Sequence, residues 1–496
     1  MRKTLGKTSL AVLALCVCLQ SYAQTSASQN GVVVNDVHSR LNETRVARVI
    51  HPASVREVQS AIGQAKAEGK AVSIAGGRHA MGGQQFGEGT LLLDTSRLNR
   101  VLNFDAAAGT LDVQAGIRWP ELLEYLDRAQ QGKAVQWGIR QKQTGADRLS
   151  IGGALSANAH GRGLRFKPMI GDVESFRLVD ASGRLVTCSR IQNPELFRLA
   201  IGGYGLFGVI TDVRLRLMPR QKVERVVKVI DLKELAPAIE QRIRDGYLYG
   251  DFQFQIDPAS ENYLTRGVFS CYRPVPRSTP IPASQKQLSM DNWSDLFYLA
   301  HVDKAKAFDA YASYYLSTNG QVYWSDTHQL AEYLDNYHEA LNKRLGPEGS
   351  GSEMISEVYV PRGSLVTFME NLRKDLRDGH ADVIYGTIRF IEKDDESFLP
   401  WAKDRYASII FNLHTAHTRE ALERTAENFR RIIARALELH GSYYLTYHHW
   451  ATRQQTEAAY PQFVEFLKLK RKFDPEQRFQ SDWYRFYTAM FADALR

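Results

Sequence analysis

Three glycine-rich turns follow one another between residues 74 and 211, and they constrain this chain more than any other feature. The first is Ile74-Ala75-Gly76-Gly77-Arg78-His79-Ala80-Met81-Gly82-Gly83-Gln84, directly after a predicted strand. The second runs from Thr144-Gly145-Ala146 through Gly152-Gly153-Ala154-Leu155-Ser156 to Asn158-Ala159-His160-Gly161. The third is Gly202-Gly203-Tyr204-Gly205-Leu206-Phe207-Gly208-Val209-Ile210-Thr211. Paired glycines let the backbone turn tightly and let successive N–H groups converge on an anion. Singly, such pairs mark turns. Three in order within one α+β stretch point to a cradle for a diphosphate. Neither the alternating glycines of a dinucleotide fold nor the Gly-Lys-Ser/Thr of a P-loop occurs in its strand–turn–helix setting, which argues against a nicotinamide Rossmann enzyme or an ATPase.

The elements around these turns are legible from local signals. Arg45–Ile50 reads as a strand, and Ser54–Glu68 as a helix capped by Ser54, with Glu57 three residues on and Gly69 as its stop. Strands follow at Ala71–Ala75, Thr90–Asp94 and Thr110–Ala115, then a helix at Trp119–Ala129 with Pro120 in its first turn. A hairpin is expected around Asp180-Ala181-Ser182-Gly183, and Phe207–Leu217 is a strand closed by Pro219. Residues 221–440 change character, with long helices predicted at Pro361–Arg377 and Arg419–Leu439 and strands at Gly250–Ile256 and Val383–Phe390. Residues 441–496 carry Tyr, His and Trp clusters and end in a basic helix.

The 44% hydrophobic and 24% charged content fits a folded globular protein. Formal net charge is +8, its basic residues are interspersed with acids, and no concentrated basic face or nucleic-acid motif appears, so a nucleic-acid partner is not expected. Residues 1–23 have the form of a secretory signal: Arg2, Lys3 and Lys7, a short apolar run Leu10–Leu19, then Ser21-Tyr22-Ala23. The run is too short for an ordinary membrane span and none comparable recurs after residue 23, so the mature chain is expected to lack a stable span and to be periplasmic or secreted, with residues 24–44 polar and loose. Beyond residue 23 the cysteines are Cys188 and Cys271, expected as two separate buried thiols. No Cys/His cluster has zinc spacing, and no metal site is expected.

The three turns resemble, in order and residue by residue, those of the FAD-linked oxidases of the vanillyl-alcohol oxidase type, the PCMH flavoprotein family. Leu91-Leu92-Leu93-Asp94-Thr95-Ser96-Arg97-Leu98 is similar to the family's V-I-D-L-S-R-L stretch, and Asp112-Val113-Gln114-Ala115-Gly116 to its V-x-A-G element. The resemblance implies an α+β fold: a two-subdomain FAD-binding domain over 45–220, a substrate domain over 221–440, and a segment, 441–496, returning to the flavin. It implies that FAD is held by Gly76, Gly77, Arg78, His79, Ala80, Met81, Gly82 and Gln85 of the first turn. From the second turn come Gly145, Ala146, Gly152, Gly153, Ser156 and Ala159, and from the third Gly208, Val209 and Ile210. His79 stands where many members carry the histidine bonded to the flavin, so a covalent histidyl-FAD is implied; Ala80 departs from the usual Ser. Thr144–Ser150 contains no Cys for a second bond.

Further on, Gly386-Thr387-Ile388-Arg389-Phe390…Asp394-Asp395 resembles an E-x-R-F…D-D element of the aldonolactone and alditol oxidase branch, with Thr387 in place of Glu. The resemblance puts Arg389 and Glu357 in the pocket and a pocket-lining strand at Tyr444–Trp450. On such a strand Tyr447 and His449 would share one face and His448 the other, and His448 is the expected proton acceptor. The expected reaction is oxidation of a CH–OH group of a sugar, polyol or lactone, with hydride passing to the flavin and then to oxygen or a periplasmic carrier. The rivals are a nicotinamide-dependent reductase of the same fold, which binds FAD without a bond, and a non-catalytic binding protein.

Overall fold

The computed structural model describes residues 31–330 and 337–496. The expected leader, residues 1–23, lies outside the described residues. The first unit is built on two sheets. Strands Arg48–Ile50, Leu91–Asp94 and Val72–Ala75 form a parallel sheet with Leu91–Asp94 in the middle. All four residues of that central strand are buried, which is why its first three, Leu91–Leu93, are uniformly apolar rather than alternating. Helix Val55–Ala67 covers the sheet with Val58, Ala61, Ile62 and Ala65, spaced to share one face. Ser54 caps it by accepting from the Glu57 N–H, and Gly69 leaves it at φ +62°.

The second sheet is antiparallel, in the order Leu185–Ser189, Val173–Val179, Val209–Pro219, Thr110–Gln114, Val101–Asp105. The hairpin expected around residues 180–183 is present, with Val179 opposite Leu185. Residues 31–44 are not loose. Val32–Val34 pairs with Thr44–Val46, and Asp36 gathers the loop between them by accepting from His38 N, Ser39 N, Ser39 Oγ and Asn42 Nδ2.

The second unit is an eight-stranded antiparallel sheet. Its central strands are Tyr249–Phe254, Val383–Ile391, Tyr406–Thr415 and Ser352–Pro361, in that order. Pro361 ends the last of these rather than opening a helix; the helix begins at Leu365, because residues 352–361 alternate inward and outward across a sheet. Val358, Phe390 and Phe411 face a core built with helices Leu365–Asp378 and Arg419–Glu438, through Phe368, Leu372, Phe429, Ile432 and Ile433. Their neighbours Glu357, Arg389 and Ile410 face the other way.

The chain then crosses back to the first unit. Val72 N donates to Arg478 O at 2.7 Å and Gln480 N donates to Val72 O at 2.9 Å, so Phe479 bridges the edge of the parallel sheet. One continuous apolar cluster joins Leu111 and Val113 of the first unit to Phe368 and Trp483. Among the described residues, Cys188 and Cys271 are free and buried, and no helix is long and apolar enough to cross a membrane.

Candidate active site

A cavity of about 800 Å³ lies between the glycine-rich turns and the inner face of the eight-stranded sheet. The first turn is set by close packing. A Cβ on Gly77 would lie 2.4 Å from the Arg148 carbonyl oxygen, so only glycine lets the first and second turns meet there. Gly152 meets the Ala115 Cβ at 2.9 Å by the same measure, which brings the second turn onto strand Thr110–Gln114. Arg78 takes a positive φ of 59° and is fixed by an ion pair to Asp94 at 2.9 Å. The 35–42 loop clamps the turn from outside: Val37 N donates to Arg78 O, and Asn42 Nδ2 donates to Met81 O.

Of the residues expected to hold FAD, Gly76, Gly77, Arg78, His79, Ala80, Met81 and Gln85 line this cavity. So do Gly145, Ala146, Gly152, Gly153, Ser156, Ala159, Gly208 and Ile210. Gly82 and Val209 do not. Gly82 sits against the Tyr447 carbonyl, and its own carbonyl faces His449 Nδ1 at 3.2 Å. Val209 is wholly buried in the apolar cluster of the parallel sheet with Val58 and Leu91, because strand alternation turns it from Ile210.

His79 Nδ1 lies 2.8 Å from His38 Nε2, so one hydrogen is shared between two imidazoles. Burial lowers the basicity of His79 well below the usual histidine range, and the His38 charge adds to this. Burial likewise pushes His38 down to about 4, opposed by Asp36. Both rings are therefore neutral near pH 7.

On the sheet face, register brings distant residues into rows. Gln253, Thr387, Ile410 and Glu357 are successive partners across four strands; Arg389, Ser408 and Tyr359 form the adjacent row. Glu357 is 3% exposed and fully engaged. Its Oε1 accepts from Tyr359 Oη at 2.8 Å and Ser408 Oγ at 2.9 Å and lies 2.5 Å from His160 Nε2; its Oε2 accepts from Tyr447 Oη at 3.0 Å. Burial opposes its ionisation, but the charge and hydrogen bond of His160, the Tyr359 hydroxyl and the Arg389 charge outweigh burial and hold the carboxyl below its usual range. His160 Nδ1 is 3.0 Å from Gly161 O, so both ring nitrogens face acceptors. The His160–Glu357 pair thus shares a proton. Arg389 is 7% exposed, far from the solvent-facing salt bridge an isolated strand arginine makes. Its Nε has no hydrogen-bond partner among the described residues.

His448 does not line the cavity. Residues 444–450 form a turn after the short strand Ser442–Tyr443, not a continuous strand, so the expected alternation does not apply. His448 stacks on Trp450 at 4.7 Å between ring centroids, behind the wall. His449 packs on Phe486 at 4.1 Å. It is Tyr444, Thr446 and Tyr447 that face inward. His160 and His38 were given no role from the sequence. His160 lay in plain view in the second turn, whereas His38 reaches His79 only through folding of the 35–42 loop.

Buried polar atoms of cavity-lining residues without partners among the described residues, Gln85 Oε1, Thr144 Oγ1 and Arg389 Nε among them, fit a large polar occupant such as a flavin nucleotide. Residues 46–189 match the family model of the FAD binding domain. Residues 319–487 match that of D-arabinono-1,4-lactone oxidase.

Both matches are to the PCMH-type FAD-linked oxidase family.

The chain is an FAD-dependent enzyme of the oxidase/dehydrogenase class. Among curated relatives, it is 24% identical to L-gulono-1,4-lactone dehydrogenase of Mycobacterium tuberculosis over 88% of this chain and 95% of that one. It is 27% identical to L-gulonolactone oxidase of Bos taurus over 42% of this chain and 46% of that enzyme. It is 31% identical to cytokinin dehydrogenase 9 of Oryza sativa over 37% of this chain and 35% of that enzyme. The chain thus spans less than half the length of the last two.

Proposed function

We propose that this protein is an exported oxidoreductase that oxidises a CH–OH group of a sugar lactone or a related polyhydroxy compound, with FAD bound covalently through His79. In this reading residues 45–220 hold FAD, 221–440 supply the substrate face and 441–496 return to close the cavity. One observation carries it: Arg389 and Glu357, on adjacent rows of one sheet face, share a cavity with His79 and the glycine-rich turns. The match to the lactone oxidase model and the names of the gulonolactone relatives support the substrate class.

Bound FAD supplies the two-electron acceptor. The chain's own residues do the rest. Arg389 presents a permanent, forked charge that orients the substrate oxygen and stabilises the negative charge developing there. Glu357, in its pair with His160, takes the hydroxyl proton, the role expected of His448. Neutral His79, with His38 to receive its proton, supports a nucleophilic nitrogen for attachment. Ala159 is the small wall residue that bears on whether oxygen or an electron carrier reoxidises the enzyme. The leader Arg2–Ala23 supports export to the periplasm or medium.

The test is anaerobic bleaching of the flavin spectrum of purified protein against L-gulono-1,4-lactone, D-arabinono-1,4-lactone, polyols and a cytokinin. Lactone or polyol bleaching is expected, with Arg389→Ala slowing it by about 100-fold or more. Bleaching by NADPH alone, or an unchanged rate in Arg389→Ala, overturns the reading. Mass spectrometry of the peptide carrying His79 tests the bond separately.

A further inference from the structure

On the same face of the eight-stranded sheet as Glu357, four residues back along its strand, lies a second cluster of ligating side chains. Glu353, on strand Ser352–Pro361, pairs in register with His414 on strand Tyr406–Thr415. His301 comes to the same point from the end of helix Met290–Val302. Its Nε2 lies 3.2 Å from Glu353 Oε1, and His414 Nδ1 lies 3.3 Å from the same oxygen. The two imidazoles stand almost perpendicular, at 84°, with centroids 4.8 Å apart. The side chains of Glu353, His301 and His414 are 2%, 4% and 11% exposed.

The hydrogen bonds around the cluster leave a gap for a cation. His301 Nδ1 is 2.8 Å from the Phe297 carbonyl, which only accepts. Nδ1 therefore carries a hydrogen, and Nε2 is left facing the carboxylate. A proton or a metal ion between the two satisfies both, and only a metal ion also takes the His414 Nδ1 lone pair aimed at the same oxygen. An imidazole held through its other nitrogen by a backbone carbonyl is also the usual arrangement of a metal-ligating histidine. The other carboxylate oxygen is fixed independently: Tyr337 Oη donates to Oε2 at 2.6 Å, and His338 Nδ1 lies 3.1 Å from it. Three donors, all within 4.8 Å of one another, remain for an ion. Zinc binds imidazole nitrogen and carboxylate oxygen at about 2.0–2.2 Å in a tetrahedron, which spaces its donors by about 3.3–3.5 Å.

We propose that His301, His414 and Glu353 bind one divalent transition-metal ion of the zinc type, with its fourth position open. The ion ties helix Met290–Val302 to the sheet. That helix lines the cavity through Trp293, Leu296, Phe297 and Ala300, so the site secures one wall of the substrate side without touching the reacting atoms. The ligands are 52 and 61 residues from Glu353, which is why no motif spacing announces them.

The experiment is calorimetric titration of chelator-treated, flavin-loaded full chain with Zn²⁺ alone, alongside metal analysis of protein purified from zinc-replete medium. One equivalent per chain is expected, with a thermal midpoint that rises on zinc addition. Glu353→Gln keeps the side-chain shape while removing the anionic ligand, and it should weaken binding at least tenfold with the flavin spectrum unchanged, as should His301→Ala. His51→Ala, at an exposed histidine away from the cluster, should bind as the parent does. Less than a tenth of an equivalent in the parent protein, or equal binding in Glu353→Gln and the parent, overturns the proposal. The parent titration alone decides the matter if either variant fails to fold.

Discussion

At the scale of single residues, the site rests on a carboxylate held ionised inside the protein. Glu357 collects donors from four directions, and only Tyr447 reaches its Oε2. Glu357→Gln keeps the volume but removes the proposed proton acceptor and faces His160 with an amide. A fall in the rate of flavin reduction of about 100- to 10,000-fold is expected, with flavin content retained; anaerobic stopped-flow measures it. A rate within threefold of the parent would remove Glu357 from the chemistry. Thr387 stands two strands from Glu357 in one row of the sheet. The missing acid of the E-x-R-F element and the acid of the cavity thus share a level, a fact no linear comparison of 387 with 357 conveys.

At the scale of elements, the run Lys470-Arg471-Lys472 has the look of a solvated helix face, yet Lys470 is wholly buried while Lys472 is exposed. The difference is Asp474. It accepts from Lys470 Nζ at 2.9 Å and from the backbone N–H groups of Arg478 and Phe479 at 2.8 Å each. It thereby shapes the turn that delivers Phe479 to the edge of the parallel sheet. Burial pushes the Lys470 ammonium down to about 8, against the pull of Asp474. Removing the carboxylate leaves a buried cation without its counter-charge, and Asp474→Ala should cost about 3–5 kcal/mol in stability. Denaturant titration checks this; a loss below about 1 kcal/mol would mean that the turn holds without the pair.

At the scale of the whole molecule, acid stability reflects histidines buried neutral. Burial pushes His448 down to about 3, opposed by the Asp36 charge. Its folded value thus lies below its unfolded value near 6.5. The stability it contributes is complete above pH 6.5 and is lost as pH falls toward 3, because the unfolded chain binds the proton first. The slope is about 1.4 kcal/mol per pH unit for each such histidine. Urea titrations at pH 7, 6 and 5 should show it, and His448→Gln should flatten the curve by about one proton; parallel curves would refute the assignment.

The glycine-rich turns, the caps and the apolar periodicities are local, so the amino-acid order alone determined the turns that line the cavity, the helix at 55–67 and the hairpin at 180–183. The aromatic composition of Tyr444–Trp450 favours a strand, whereas its packing against Gly82 makes it a turn. What faces the cavity from the second unit depended on strand register and on which side of each strand is covered by helices. The His301–Glu353–His414 cluster and the His38–His79 contact likewise join residues far apart in the chain. Pairing energies between distant strands are set by their mutual packing, and no window of sequence contains both partners.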